Sequence, residues 1–308
     1  MSQFEKHLPD ITAKVNSVNP SPLKWVGMEA IDFPIEVDDD LNRQTPASIN
    51  TFVDLRSHDK GIHMSRLYLK LQAYLSRGQL SDALLDQYLD DVLTSHVGKS
   101  RNAKVSIAFD LMTDKPALKT QNSGFHAYAI TWTRCLFEDK RYSTLKVTIP
   151  YSSTCPNSAA LARQLTAEKI DSVFQQEQID KAALLAWLQE ENNSLATPHN
   201  QRSFAHIVIQ MKQVNSNVLT DLIRQFETAI GTPLQTAVKR IDEQAFAELN
   251  GDNLLFCEDA ARRIKQCIAN MNQVEDYWFK VEHQESLHPH NAVAIDFKHA
   301  SSASLLYI

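Results

Sequence analysis

The sequence predicts an α+β fold, in which helices pack on one face of a sheet of antiparallel strands. Runs in which apolar and polar residues alternate, as they do in strands, recur along the 308 residues. Apolar residues also recur at helical spacing in several segments. In the second half these elements follow the order strand, strand, helix, helix, strand, strand, which is typical of hairpins with helices on one side.

The first half begins with a polar segment, residues 1–20, that we expect to form a loosely attached arm. Helical spacing of apolar residues predicts a helix over residues 81–96. Pro34 is expected to interrupt the first strand, because proline lacks the N–H that a strand ladder needs. The predicted strands of this half are at residues 23–37, 50–55, 63–71, 105–112 and 125–134.

A charged turn at residues 138–141 marks the predicted boundary between two modules, residues 21–138 and 139–308. The second module contains a helical insertion at about residues 157–195, within a polar background. Its strands are predicted at residues 142–151, 204–212, 277–285 and 292–297, and its two long helices at residues 218–230 and 254–271. We interpret the first module as a less regular version of the same unit.

Composition excludes several classes of function. A net charge of −6 argues against a nucleic-acid-binding protein, because no broad basic face can be assembled. Seven glycines and the absence of a glycine-rich phosphate loop mean that a nucleotide would be held by side chains. No apolar run is long enough to span a membrane, and the polar N-terminus does not resemble a signal peptide. The four cysteines show no C-x-x-C spacing, so we expect a cytoplasmic protein with reduced thiols.

Three places in the chain carry residues suited to chemistry. Cys155, in SSTCPNSAA between a predicted strand and a predicted helix, fits a nucleophile, a metal ligand or a small buried residue. His288 and His290 lie between the last two strands and could bind metal, transfer protons or remain solvated. Glu258 is expected beside Leu254 at the rim of an apolar helical face, either as a solvated flank residue or as a half-buried acceptor for ligand N–H groups.

Six short motifs follow one another over most of the chain. They are KGIHMSR (60–66), STCPNS (153–158), PHNQRS (198–203), TAVKRIDEQ (236–244), LLFCEDAARR (254–263) and ESLHPHNA (285–292). In this order they resemble the motifs of GTP cyclohydrolase type IB. The resemblance implies the tunnelling fold, with two modules in tandem and a homotetramer that closes into a barrel. It also implies active sites at the interfaces between subunits.

The resemblance assigns a role to each matching residue. One divalent metal ion per site, Zn, Mn or Fe, would be held by Cys155, His199 and Glu243, and Cys155 would also be catalytic. Glu258 would anchor the guanine edge. The remaining substrate-binding residues would be Lys60, His63, Arg66 and Arg202, and the catalytic proton-transfer residues His288 and His290. The family's second cysteine is replaced here by Asn157.

The implied reaction converts GTP and water into 7,8-dihydroneopterin triphosphate and formate, the first step of tetrahydrofolate biosynthesis. Water activated by the metal would attack C8 of guanine. One alternative is a nitrile reductase of the same fold, with Cys155 as a covalent nucleophile. The predicted Cys, His and Glu set and the H-N-Q-R-S motif argue against it. Another alternative, a non-catalytic purine or pterin binder, is disfavoured because the predicted ligands and the histidine pair are both retained.

Overall fold

The computed structural model describes residues 17–37, 44–76, 78–193 and 196–299. In this part of the chain eight strands form one antiparallel sheet, in which each strand pairs with its neighbours in sequence order. β1 and β8 are therefore the edges of the sheet. The strands are β1 (Leu23–Glu36), β2 (Gln44–Leu55), β3 (Ala103–Pro116), β4 (Ser123–Phe137), β5 (Lys140–Thr154), β6 (Asn200–Met211), β7 (Val274–His283) and β8 (Ala292–Phe297).

Seven α-helices accompany the sheet within the described ranges. They are α1 (Met64–Leu75), α2 (Asp82–Ser95), α3 (Pro156–Val173), α4 (Lys181–Gln189), α5 (Leu219–Ile230), α6 (Arg240–Asp252) and α7 (Cys257–Ala269). None of these helices is long and apolar enough to cross a membrane. The α+β class is confirmed, and α3 and α4 form the predicted helical insertion between β5 and β6.

The two halves join through a turn of two residues between β4 and β5. Glu138 and Asp139 have φ values of 50° and 61°, the left-handed conformation that a tight hairpin of this kind requires. Because β4 and β5 then pair from this turn onward, both halves contribute to one continuous sheet. The division into modules at this turn stays a prediction, and most of the predicted arm, residues 1–16, lies outside the described residues.

One hydrophobic core lies between the sheet and four of the helices. Each of α1, α2, α5 and α7 buries apolar residues at spacings of three or four, such as Leu67, Leu71 and Leu75 of α1. Trp132 of β4 is completely buried in this core. Gly231, in the left-handed conformation with φ 94°, ends α5 where the sequence predicted a stop.

Two strand predictions in the first half are wrong. Residues 63–71 were expected to form a strand, but most of them lie in α1. The leucines of this segment satisfy both the strand period and the helical period, and burial of the helical face decides between them. Pro34 does not interrupt β1, because β1 is an edge strand and can leave one side of its ladder unpaired.

Two differences in the second half affect the site. Helix α6, which contains TAVKRIDEQ residues, was not predicted, because Asp242 and Asn250 are two of its three buried residues and no apolar stripe marks it. Strand β6 begins at Asn200, four residues before the predicted start. His199 therefore directly precedes a strand, and Arg202 lies within it.

Candidate active site

The predicted site residues lie at two opposite ends of the sheet. We call the end where β5 stops and β6 starts the Cys155 end. The loop after β2, which precedes α1, lies at the other end, because Val53 pairs with Ala103 and Ala103 pairs with Leu136 beside the β4–β5 turn. Strand β5 runs from that turn to Thr154, on the order of 45 Å at about 3.3 Å per residue. One copy of the chain therefore leaves Lys60, His63 and Arg66 far from Cys155.

The pairing of β5 with β6 brings Cys155 and His199 together. Thr154 pairs with Asn200, so the residue after one strand faces the residue before the other. The Cys155 N–H donates to the His199 carbonyl oxygen at 3.3 Å. Cys155 is also the N-cap of α3, with Pro156 in the first turn. Both side chains are half-buried, so they remain open to a ligand from one side.

A buried glutamine fixes the imidazole of His199. Gln201 is 6% exposed, and its Oε1 lies 3.1 Å from Nδ1 of His199. An amide oxygen only accepts, so this contact favours the proton on Nδ1, and in the neutral imidazole Nε2 is then the nitrogen with a lone pair. Such a hydrogen bond is typical of histidines that bind a metal through the other nitrogen. The Glu285 carboxylate is also near, with Oε2 3.8 Å from Nδ1.

A network of polar side chains connects the strands next to Cys155 and His199 to α6. Asn200 Nδ2 lies 2.7 Å from Thr154 Oγ1 and 3.2 Å from Asn250 Oδ1. Ser152 donates to the same Asn250 oxygen at 2.7 Å. Because Ser152 and Asn200 belong to the strands that carry Cys155 and His199, the network holds the C-terminal part of α6 against the Cys155 end.

His283 forms a second buried network at the Cys155 end. It is 3% exposed, with Nε2 2.9 Å from the Tyr151 hydroxyl and Nδ1 3.3 Å from Ser153 Oγ. Burial lowers the pKa of His283 to about 4, and the nearby charge of Glu258 opposes this shift only partly. The imidazole is therefore neutral at neutral pH, and it ties the end of β5 to the end of β7.

We expect this buried histidine to make the protein less stable in mild acid. The pKa of His283 is about 4 in the folded chain and about 6.5 in an unfolded chain. Between these values only the unfolded chain takes up the proton, so the free energy of unfolding falls as the pH falls. From about pH 7 to about pH 5 the loss should be about 2 kcal/mol in urea titrations, and His283→Asn should lose less. His288→Asn, at an exposed position, should keep the parent's pH dependence. Equal losses in parent and His283→Asn would contradict the assignment.

Three predicted residues are exposed at the Cys155 end of a single chain. Glu258 lies exposed in the first turn of α7, which agrees with the solvated alternative and not with the half-buried one. The reason is that Leu254 precedes the helix, so no helical angle relates the two residues. His288 and His290 lie in the β7–β8 loop, with their rings stacked 5.0 Å apart and nearly parallel.

The remaining predicted site residues lie on α6, at the far end of the sheet and on β6. Glu243 is exposed on α6, and within residues 17–37, 44–76, 78–193 and 196–299 no three His, Cys, Asp or Glu side chains are grouped to hold a metal ion. At the far end of the sheet, Lys60 is exposed, His63 occupies the N-cap position of α1, and Arg66 donates to the Ser95 carbonyl. Arg202 is exposed on β6.

Several residues that hold the site residues, or the elements that carry them, in place were not identified from the sequence. Gln201 belongs to the PHNQRS motif, so its nearness to His199 could have been predicted from the sequence. Asn250 and Asp242 were missed with α6 itself. His283 could not be found, because its partners come from β5 and only strand pairing brings them near.

The fold of this chain belongs to the class of tunnelling folds. The crystal structure of uricase from Arthrobacter globiformis is similar, with a TM-score of 0.51 over 93% of this chain and 96% of that chain. At 8% identity this likeness shows the fold alone.

Sequence comparisons then define the family. The profile of type I GTP cyclohydrolase folE2 matches residues 8–294. GTP cyclohydrolase FolE2 of Pseudoalteromonas atlantica is 48% identical over 94% of this chain and 96% of its own length. GTP cyclohydrolase FolE2 of Hahella chejuensis is 47% identical over 98% of this chain and 100% of its own length. The chain belongs to the type I GTP cyclohydrolase FolE2 family.

Proposed function

We propose that the chain catalyses the GTP cyclohydrolase I reaction, which converts GTP and water into 7,8-dihydroneopterin triphosphate and formate at the start of tetrahydrofolate biosynthesis. Family membership supports this function, with identities of 48% and 47% over nearly the whole chain. The structural observation that carries it is the contact between the Cys155 and His199 backbones, which joins two family motifs. Neither the nitrile reductase nor the non-catalytic binder is favoured by these relatives.

We propose that Cys155, His199 and Glu243 hold one divalent metal ion. The half-buried thiol and the Nε2 lone pair of His199 are suitable donors at one place, and Asn250 connects α6, which carries Glu243, to the same strands. A mixed sulfur, nitrogen and oxygen set suits zinc, manganese or iron. When bound, such an ion would supply Lewis acidity that lets water attack C8 of guanine at neutral pH.

The chain's own side chains would bind the substrate and move its protons. Glu258 would accept hydrogen bonds from guanine N1–H and the exocyclic amine, a charge-assisted pair on one base edge. Ring opening and reclosure need repeated proton transfers. The stacked and exposed His288 and His290 at the Cys155 end are the proposed proton-transfer residues.

We propose a homotetramer with active sites between subunits. Lys60, His63 and Arg66 reach a site near Cys155 only if they come from a second copy, because they lie at the opposite end of the sheet. Edge strand β8 is suited to such a contact, since its Val293, Ile295 and Phe297 are 52%, 55% and 45% exposed. Lys60 and Arg66 of one copy and Arg202 of another would then meet the triphosphate.

We also propose a cytoplasmic location. The four cysteines are free thiols in the structure, and Cys155 needs a reduced thiol to serve as a metal donor. No nucleic acid is expected as a partner of a chain with net charge −6.

The test is incubation of the purified protein with GTP and a divalent metal, followed by oxidation and measurement of pterin fluorescence. We expect fluorescence that disappears after chelation and returns when metal is added. Full turnover in metal-free protein would refute the metal proposal. Tight GTP binding without any pterin would support the non-catalytic binder, and reduction of a deazaguanine nitrile would support the nitrile reductase.

A further inference from the structure

Helix α6 is held at both ends by buried polar side chains. Near its C-terminus, Asn250 accepts hydrogen bonds from Ser152 and Asn200 at the Cys155 end. Near its N-terminus, Asp242 is completely buried. Because an unpaired buried carboxylate is costly, its partners define how this end of the helix is fixed.

The partners of Asp242 come mainly from the tip of the β3–β4 hairpin. Oδ1 accepts from the backbone N–H groups of Lys119 at 2.8 Å and Thr120 at 2.9 Å. Oδ2 accepts from the Thr120 hydroxyl at 2.7 Å and from the Lys239 N–H at 2.9 Å. These donors outweigh the effect of burial and hold the pKa of Asp242 well below its usual range. The carboxylate therefore clamps a hairpin of the first half to a helix of the second half.

Glu243 directly follows Asp242 on α6. Glu243, Ala247 and Asn250 share one face of α6, because they are four and three residues apart on a helix of about 3.6 residues per turn. Ala247 and Asn250 line a groove together with Thr154 and Asn200, next to Cys155 and His199. A rotation or a shift of α6 would therefore change where Glu243 lies relative to these two residues.

We propose that Asp242 is a positioning residue: by clamping α6 to the β3–β4 hairpin it sets the place of Glu243 relative to Cys155 and His199. This inference rests on the proposed metal site. Thr120 contributes two of the hydrogen bonds to Asp242, one from its backbone N–H and one from its hydroxyl.

The experiment measures the dissociation constant of Mn²⁺ alone, by competition with a chelating dye, together with urea unfolding. Asp242→Asn is expected to weaken Mn²⁺ binding by about 10- to 100-fold, the range typical of groups that orient metal ligands. Thr120→Val, which removes one of the four hydrogen bonds, should weaken it less. In turnover with excess metal, kcat should fall while KM for GTP changes by less than about twofold.

Asp82→Asn is the matched control. Asp82 is also buried and also joins the two halves, accepting from Trp132 Nε1 at 3.0 Å, Ser143 Oγ at 2.7 Å and the Val214 N–H at 2.7 Å. It contacts none of the proposed site residues. Asp82→Asn should therefore lower the urea midpoint and leave the Mn²⁺ dissociation constant unchanged.

Glu243→Gln separates this inference from the proposed metal site. If Glu243→Gln weakens Mn²⁺ binding while Asp242→Asn and Thr120→Val bind as tightly as the parent, the positioning role is refuted and the ligand set stands. If Glu243→Gln binds as tightly as the parent, the ligand set fails and the positioning role fails with it. Should Asp242→Asn not fold, Thr120→Val decides, because it leaves three of the four hydrogen bonds in place.

Discussion

Cys155→Ala is expected to lose its metal and its turnover together. The substitution removes the only thiolate of the proposed donor set, and the remaining imidazole and carboxylate bind a divalent ion much more weakly. We expect turnover to fall by about a thousandfold or more, with metal content near zero after gel filtration. Cys267→Ala is the control, because Cys267 is another half-buried thiol, on α7, that contacts the Gln225 carbonyl and no predicted site residue. A variant that keeps its metal but loses turnover would instead indicate a nucleophilic role for Cys155.

The same variant tests whether each site is shared between subunits. Lys60→Glu places a negative charge where the triphosphate is proposed to bind, so it should also be nearly inactive. In assemblies mixed from equal amounts of Cys155→Ala and Lys60→Glu chains, about a quarter of the shared sites would combine an intact Cys155 with an intact Lys60. Activity should therefore return to about a quarter of that of the parent protein. Cys155→Ala mixed with His199→Ala should recover nothing, because both residues belong to the same end of one chain. No recovery in the first mixture, with tetramers confirmed by light scattering, would place each site within one chain.

The order of helices and strands could be predicted because apolar residues on the buried face of an element recur at the period of that element. Strand β6 shows this clearly, since Ala205, Ile207, Ile209 and Met211 alternate and are all buried. The prediction failed where the buried residues are polar and where the apolar residues fit both the strand period and the helical period. Helix α6 buries Asp242 and Asn250, which no hydrophobic pattern can indicate. In α1 the leucines fit two periods, and only the packed core selects the helical one.

The chemistry of the site could be predicted from motifs, but its geometry could not. Cys155 and His199 meet because of the β5–β6 register, a relation that no local pattern contains. The separation of the KGIHMSR motif from the Cys155 end also follows only from the strand order. Family membership confirms the expected family and activity, whereas the roles of individual residues stay predictions.

Glu258→Gln is expected to reduce kcat/KM for GTP by about 100-fold. The two carboxylate oxygens would accept from guanine N1–H and from the exocyclic amine, and glutamine puts an N–H where one acceptor is needed. Glu258 is exposed on the first turn of α7 in a single chain, so a bound base would be the group that covers it. Metal content should not change, because Glu258 is not a proposed ligand.

Asp259→Asn is the matched control for this substitution. Asp259 is the neighbouring carboxylate on the same turn, but its Oδ2 accepts from the Phe256 N–H at 3.2 Å and caps α7. Its replacement should affect stability more than kcat/KM. Inosine triphosphate lacks the exocyclic amine, so with this substrate Glu258→Gln and the parent should differ by only about tenfold. If Glu258→Gln strips the metal, or if it leaves GTP turnover intact, then the proposed roles of Glu243 and Glu258 are exchanged, and Glu243 is the residue that recognises guanine.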